Sequence, residues 1–148
     1  MIDSCVVDAS VGIKLFLDEE GSQQADSLFS VLAQDPNARF YVPDLFFVEC
    51  ANILWKYVRH HGYPPENASQ DVRDLSTLAL RSVSTADLIA PGLALALKYQ
   101  VTAYDACYAA LSERSKLPLI TADQALIRNL KGSGIEFISL QALDSLRN

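Results

Sequence analysis

Positive charge is scarce in this sequence. It has 12 lysines and arginines against 18 aspartates and glutamates, which gives a net charge of −6. A domain that holds nucleic acid by broad electrostatic attraction normally presents a basic face, so this balance argues against that mode of binding. A nuclease stays possible, because bound metal cations can reverse the sign of the field at a site.

Cysteine and histidine are also rare, and their spacing favours neither a disulfide framework nor a metal site. Cys5, Cys50 and Cys107 form an odd set without a CxxC pair, and each lies in an apolar stretch. We therefore expect buried free thiols in a reducing cytoplasm. His60 and His61 are adjacent at a predicted helix end and lack metal-ligand spacing.

Long apolar runs are absent. No stretch reaches the roughly 18 residues that a membrane span needs, and no basic segment followed by an apolar run opens the chain as in a secretory signal. Half of the 148 residues are hydrophobic and a fifth are charged, which is typical of a globular protein. The length predicts a single domain over residues 1–148.

The chain does contain an alternation of short apolar strands and longer helical segments. The patterns predict strands at 5–7, 39–42, 117–121 and 135–138, with a short edge strand at 81–84. They predict helices at 11–17, 22–33, 43–60, 66–80, 85–99, 103–114, 122–130 and 140–146. Pro91 and Gly92 predict a restart or a kink within the helix at 85–99. Strands alternating with helices indicate an α/β protein with a mostly parallel sheet.

Asp8 stands where the first strand ends and the first helix begins. Cys5, Val6 and Val7 are three apolar residues in a row, which predicts a strand buried on both faces. Ser10 is predicted to be the N-cap of the helix that follows. In a parallel sheet this point lies on the carboxyl edge, where ligands bind.

Three further carboxylates fall at the same edge, because helices run antiparallel to the strands they connect. Glu49 lies in the first two turns of the helix after the second strand, and Asp105 and Asp123 lie in the first turns of two later helices. Each has a purely structural alternative. Asp105 fits a capping box with Thr102, Asp123 suits a helix dipole, and Glu49 could be an exposed helix acid.

Four carboxylates that meet at one edge need compensation. At 4 Å each pair repels by about 4 kcal/mol at an effective dielectric near 20, and a helix amino terminus offers only about half a unit of positive charge. The cluster must therefore take up protons or bind cations. Oxygen ligands indicate Mg²⁺ or Mn²⁺ rather than zinc, and such a site suits attack of water on a phosphodiester.

Four other polar residues are candidates for supporting this site. Ser10 and Thr121 could cap helices or touch the metal or its waters. Asn52 lies one turn after Glu49 and could orient it. Lys14 could hold a phosphate or be a solvated helix lysine.

Four segments, in their order along the chain, resemble motifs of the PIN domain family, and more closely the VapC-type toxin ribonucleases of toxin–antitoxin pairs. They are VVDAS at 6–10, VPDL leading to ECAN over 42–52, YDACY at 104–108 and LITAD at 119–123. The resemblance implies a three-layer α/β/α fold with a central sheet of four to five strands. It also implies an Mg²⁺- or Mn²⁺-dependent endoribonuclease that cuts RNA, an antitoxin partner and frequent dimers.

The family's functional residues carry over onto matching positions. The resemblance places its acids at Asp8, Glu49, Asp105 and Asp123, and its metal-adjacent hydroxyl at Thr121. Separately, the aromatic residues around one predicted helix exceed a single buried stripe, which predicts a homodimer surface. These are Phe46, Phe47, Trp55 and Tyr57.

Three alternatives compete with the ribonuclease interpretation. A catalytically silent PIN-like module that binds RNA or protein would be expected to have lost one or more acids, and none is missing. A phosphate-accepting receiver domain needs paired acids at the first strand and a lysine after the last, whereas Asp8 stands alone and Ser139 follows Ile138. A nuclease acting on DNA stays open, because these residues would contact metal and phosphate rather than the 2′-hydroxyl.

Overall fold

Strand β1 (Ser4–Val7) lies at the centre of a five-stranded, all-parallel sheet. This is seen in a computed structural model, which describes residues 2–147 and the side chains of 2–144. Cys5, Val6 and Val7 are fully buried, so helices cover β1 on both faces. The predicted α/β class and three-layer architecture are confirmed, and β1 is the middle strand of the sheet.

The strand order is β3-β2-β1-β4-β5. The remaining strands are β2 (Arg39–Pro43), β3 (Arg81–Val83), β4 (Leu119–Thr121) and β5 (Phe137–Ser139). The helices are α1 (Ala9–Gly12), α2 (Ser22–Gln34), α3 (Leu45–His61), α4 (Pro65–Leu75), α5 (Thr85–Tyr99), α6 (Ala103–Ser115) and α7 (Gln124–Asn129). A short 3₁₀ turn follows α1, and a 3₁₀ helix (Leu140–Arg147) replaces the α-helix predicted at 140–146.

The order in which the chain adds strands to the sheet reverses at β1. Val6 pairs with Tyr41 of β2 on one side and with Leu119 of β4 on the other. The chain therefore builds outward from β1 twice, first towards β3 and later towards β5. Where the winding reverses, the carboxyl ends of adjacent strands leave a crevice for ligands.

Helix α5 runs without a break through Pro91, so of the two predicted alternatives the restart is wrong and the kink stays a prediction. A proline at this position leaves the carbonyl of Asp87 without its intrahelical partner. Both residues are exposed, and water can serve that carbonyl. Gly92 is buried, and a Cβ there would lie 3.6 Å from the nearest backbone atom of Ala106 on α6, an ordinary contact distance.

The aromatic surface predicted around α3 is largely buried. Phe46 is fully buried, Phe47 and Tyr57 are partly buried, and Trp55 alone of the four is strongly exposed. Among the described side chains, six large apolar residues are exposed, and three of them lie on α5 at one-turn spacing: Ile89, Leu93 and Leu97. Val48 and Trp55 are exposed on α3, and Tyr104 on α6.

The three cysteines are buried and unpaired, as predicted. No helix within residues 2–147 is long and apolar enough to cross a membrane.

Helices α1 and α3 pack so closely at residue 12 that any side chain larger than that of glycine would force the Phe46 ring to shift. A Cβ on Gly12 would lie 2.5 Å from Cζ of Phe46, whose ring is fully buried. We expect Gly12→Ala to lower the free energy of unfolding by about 1–3 kcal/mol, as overpacking does. Gly92→Ala is the matched control and should leave stability equal or raise it by up to about 1 kcal/mol. Urea denaturation measures both, and equal stabilities for the two variants would refute the close-packing argument.

Candidate metal centre

Asp8 is the most enclosed acid at the carboxyl edge. Its side chain is 6% exposed, and its backbone N–H still donates to the carbonyl of Ile120 on β4 at 3.0 Å. Two hydroxyls donate to the same carboxylate oxygen: Ser10 Oγ lies 2.6 Å and Thr121 Oγ1 lies 2.8 Å from Asp8 Oδ2. Within residues 2–144 no side chain donates to the other oxygen, Oδ1, and a backbone hydrogen bond from Ala9 also supports the carboxylate.

Backbone amides orient both hydroxyls. The N–H of Ala122 donates to Ser10 Oγ at 3.1 Å, and the N–H of Asp123 donates to Thr121 Oγ1 at 3.0 Å. Each hydroxyl therefore accepts from the β4–α7 junction and gives its own hydrogen to Asp8. The predicted N-cap at Ser10 is wrong, because α1 begins at Ala9 and the Ser10 hydroxyl is committed to this junction.

Asp105 and Asp123 come from the starts of two helices. The hydroxyl of Thr102 accepts from the N–H of Asp105 at 3.1 Å, so Thr102 caps α6 and Asp105 lies in its first turn, as predicted. Asp123 is itself the N-cap of α7, since its Oδ1 accepts from the N–H of Leu126 at 3.1 Å. The helix predicted at 122–130 therefore starts later, and only one oxygen of Asp123 serves the helix.

Glu49 of α3 is held by Tyr108, for which the sequence alone did not predict a function. The hydroxyl of Tyr108 on α6 donates to Glu49 Oε1 at 2.8 Å. Burial, and then the charges of Asp8 and Glu49, raise the pKa of Tyr108 far above its ordinary value, so the phenol stays a donor. Asn52, predicted to orient Glu49, is exposed, and no hydrogen bond joins the two side chains. The sequence does contain one indication that Tyr108 lies near the acids: Asp105 and Tyr108 are three residues apart on a helix, which places both on one helix face.

The negative charges of neighbouring acids raise the pKa values of three of the four carboxyl groups. Burial is the main cause that raises the pKa of Asp8, and the charge of Asp123 adds to it while Ser10 and Thr121 oppose it. Burial, then Asp8 and Asp105, raise the pKa of Glu49 to about 7 against the hydrogen bond of Tyr108. Burial, then Asp8 and Asp123, raise that of Asp105 to about 6. Folding therefore brings the predicted acids into one cluster.

No basic side chain neutralises this cluster. Across the described side chains, the single ion pair joins Lys14 Nζ to Glu19 Oε1 at 3.0 Å. Lys14 also donates to the carbonyl of Glu20 at 2.7 Å. It is thus committed to the loop after α1, and the phosphate-holding alternative for Lys14 loses its support.

The donor atoms fit a hard divalent cation. They are carboxylate and hydroxyl oxygens, while the nearby thiols of Cys50 and Cys107 are buried with a raised pKa and remain protonated. Within the described residues no group of three or more acidic, histidine or cysteine side chains is placed closely enough to hold a metal ion as it stands. Mg²⁺ usually keeps several waters and binds proteins through one or two carboxylates, so it does not require such a group.

Comparison with known proteins identifies the family. The sequence profile of the PIN domain matches residues 5–131. The chain belongs to the PIN domain family. All four acids of this PIN domain, and the Ser10 and Thr121 hydroxyls, lie within the matched range.

Individual relatives agree with this assignment. The PIN domain is 39% identical to Ribonuclease VapC3 of Pyrobaculum aerophilum over 123 residues, which cover 82% of this chain and 90% of that protein. Its fold resembles the crystal structure of PAE2754 from the same organism, with a TM-score of 0.69, 23% identity and coverage of 99% and 90%. It also resembles a chain of a toxin–antitoxin complex from Klebsiella pneumoniae, with a TM-score of 0.62, 18% identity and coverage of 92% and 97%.

The raised pKa values predict how the metal-free PIN domain responds to pH. Glu49 and Asp105 bind protons more tightly when folded than when unfolded, where carboxyl pKa values lie near 4. Unfolding therefore releases protons between about pH 4 and 7, and the free energy of unfolding should fall as pH rises through that window. Urea denaturation in EDTA at several pH values measures the slope.

Asp105→Asn should flatten this slope, because the amide does not titrate. Glu113→Gln, an exposed acid on the same helix, is the matched control and should keep the wild-type slope. A wild-type stability that rises between pH 5 and 7 would contradict the proposed origin of the pKa shifts.

Proposed function

We propose that this PIN domain is an Mg²⁺- or Mn²⁺-dependent endoribonuclease of the VapC toxin type. The observation that carries the proposal is the cluster of Asp8, Glu49, Asp105 and Asp123, whose charges are coupled and meet no basic side chain. Such a cluster is relieved by cations, and metal-assisted hydrolysis is the chemistry it suits best.

The named relatives support an RNA substrate. A protein called Ribonuclease VapC3 is 39% identical to this chain over 123 residues, which cover 82% of this chain and 90% of that protein. A catalytically silent PIN-like module remains the alternative, and retention of all four acids disfavours it. The three free thiols favour work in a reducing cytoplasm.

The side chains divide the work. Asp8, Glu49, Asp105 and Asp123 would hold the metal, while Ser10 and Thr121 keep the Asp8 carboxylate in a fixed orientation. The bound metal supplies a water of lowered pKa and stabilises negative charge on the phosphoryl oxygens. Without a bound cation the carboxylates would repel an RNA phosphodiester, so the four acids would not bind RNA by themselves.

Removing one metal-holding acid should abolish cleavage without unfolding the protein. We expect Asp8→Asn and Asp105→Asn each to slow Mg²⁺-dependent cleavage of total RNA by on the order of a hundredfold or more. Either change also removes repulsion, so the melting temperature in EDTA should hold or rise. Gel analysis of RNA, with and without Mg²⁺, and thermal unfolding measure the two effects.

Asp26→Asn is the control, because Asp26 is an exposed acid on α2 away from the cluster. If a variant cuts RNA at the wild-type rate, the residue substituted in it does not belong to the catalytic site. If the wild-type protein cuts single-stranded DNA and leaves RNA intact, the protein is a deoxyribonuclease and the proposed ribonuclease function is wrong.

We further propose a protein inhibitor that places an arginine among the four carboxylates. The Klebsiella pneumoniae neighbour is named as part of a toxin–antitoxin complex, which supports an antitoxin partner here. A guanidinium is always charged and can grip a carboxylate through two hydrogen bonds. It would relieve the repulsion between the acids as a metal does, but would supply no activated water.

This mode of inhibition requires competition with the metal. Raising the Mg²⁺ concentration should weaken inhibition by an arginine-bearing peptide from the antitoxin tail, and replacing that arginine by alanine should weaken it strongly. Dose–response curves of RNA cleavage at several Mg²⁺ concentrations test both. Inhibition insensitive to both changes would mean that the partner acts elsewhere on the protein.

The proposed enzyme is expected to be a homodimer, but through a different surface from the one chosen on sequence. Of the aromatic residues first chosen on α3, only Trp55 is strongly exposed. The three large apolar side chains of α5 now offer the better surface for a second copy: Ile89, Leu93 and Leu97.

A further inference from the structure

We propose that Tyr108 is a positioning residue of the metal centre, which holds Glu49 so that one carboxylate oxygen faces the other acids. This inference rests on the proposed metal-dependent function. The hydroxyl of Tyr108 donates to Glu49 Oε1 at 2.8 Å and makes no second side-chain hydrogen bond in the described part of the chain. The contact links α6 to α3 across 59 positions of sequence.

The geometry of Tyr108 is rigid. Its side chain is fully buried and is among the largest in the core. It lies one helical turn after Asp105 on α6, so one helix supplies both an acid of the cluster and the donor that holds another acid. Glu49 itself is only partly buried and has three rotatable side-chain bonds. Without Tyr108, Glu49 would sample several rotamers.

The chemistry of the donor matters as much as its position. A lysine or arginine at this place would neutralise Glu49 and reduce the attraction of the cluster for a divalent cation. A phenol donates one hydrogen bond and carries no charge. Tyr108 therefore orients the carboxylate while leaving its negative charge available.

Only one oxygen of Glu49 is occupied by this contact. Tyr108 holds Oε1, and no other side chain of the described residues donates to Oε2. The free oxygen can then accept a cation or hold one of its waters. Outer-shell donors of this kind typically change metal affinity by about 10–100-fold when removed.

A further tyrosine of the chain makes a matched contact away from the cluster. The hydroxyl of Tyr57 donates to Glu19 Oε2 at 2.6 Å, in the network that contains Lys14. Tyr57→Phe removes the same phenol-to-carboxylate hydrogen bond without touching any of the four acids. It separates the loss of such a bond in general from its loss beside Glu49.

Binding of Mn²⁺ to the full chain tests the proposal without any need for RNA. Paramagnetic resonance of free Mn²⁺ gives the dissociation constant, and circular dichroism checks the fold of each variant. We expect Tyr108→Phe to weaken Mn²⁺ binding by about 10–100-fold and Tyr57→Phe to leave it unchanged. In a Glu49→Gln background, Tyr108→Phe should have less than about a twofold further effect, because coupled residues are not additive.

Glu49→Asp is the second variant, and it keeps the charge while withdrawing the carboxylate from Tyr108 by one methylene. It should weaken Mn²⁺ binding, and it keeps the proposal open to refutation if Tyr108→Phe fails to fold, because wild-type affinity would then show that the placement of this carboxylate does not matter. Wild-type affinity in a folded Tyr108→Phe or in Glu49→Asp overturns the proposal. So does an equal loss from Tyr108→Phe with and without Glu49, which a merely structural tyrosine would give. A wild-type chain that binds no Mn²⁺ overturns the proposed metal centre, and the positioning function with it.

Discussion

Mutual repulsion among buried and half-buried carboxylates is the constraint around which this protein is built. Asp8 is almost completely enclosed, yet the groups that face it are two hydroxyls and further acids. Hydroxyls can orient a carboxylate but cannot cancel its charge. The protein thus retains a local excess of negative charge whose relief must come from protons or from a bound cation.

The parallel sheet is what makes such an arrangement possible. Every strand end and every following helix start falls on the same edge, so acids far apart in sequence are delivered to one crevice. Close packing then keeps the elements in place: Gly12 lets α1 approach Phe46 of α3, and Tyr108 ties α6 to α3. The favourable free energy of packing thus offsets the repulsion between carboxylates that the fold holds near one another.

Much of this follows from sequence, and the parts that do not have physical reasons. The alternation of strands and helices and the apolar run before Asp8 predict a mostly parallel sheet, a first strand buried on both faces, and acids at its carboxyl edge. Ser10 was misassigned because a serine at the start of a helix has the same pattern whether it caps the helix or, as here, bonds the carboxylate two residues earlier and accepts from the distant N–H of Ala122. The contact of Tyr108 with Glu49 and the burial of Phe46 depend on how helices pack, which local patterns do not contain.

The order of β1 and β4 in the chain has a consequence for synthesis. Asp8 is made 113 residues before its partner Thr121, and Asp123 follows Thr121. A growing polypeptide therefore leaves the β4 side of β1 unpaired until β4 has been made. If the edge cuts RNA as proposed, an unfinished chain would be harmless to the messenger and the ribosome that produce it.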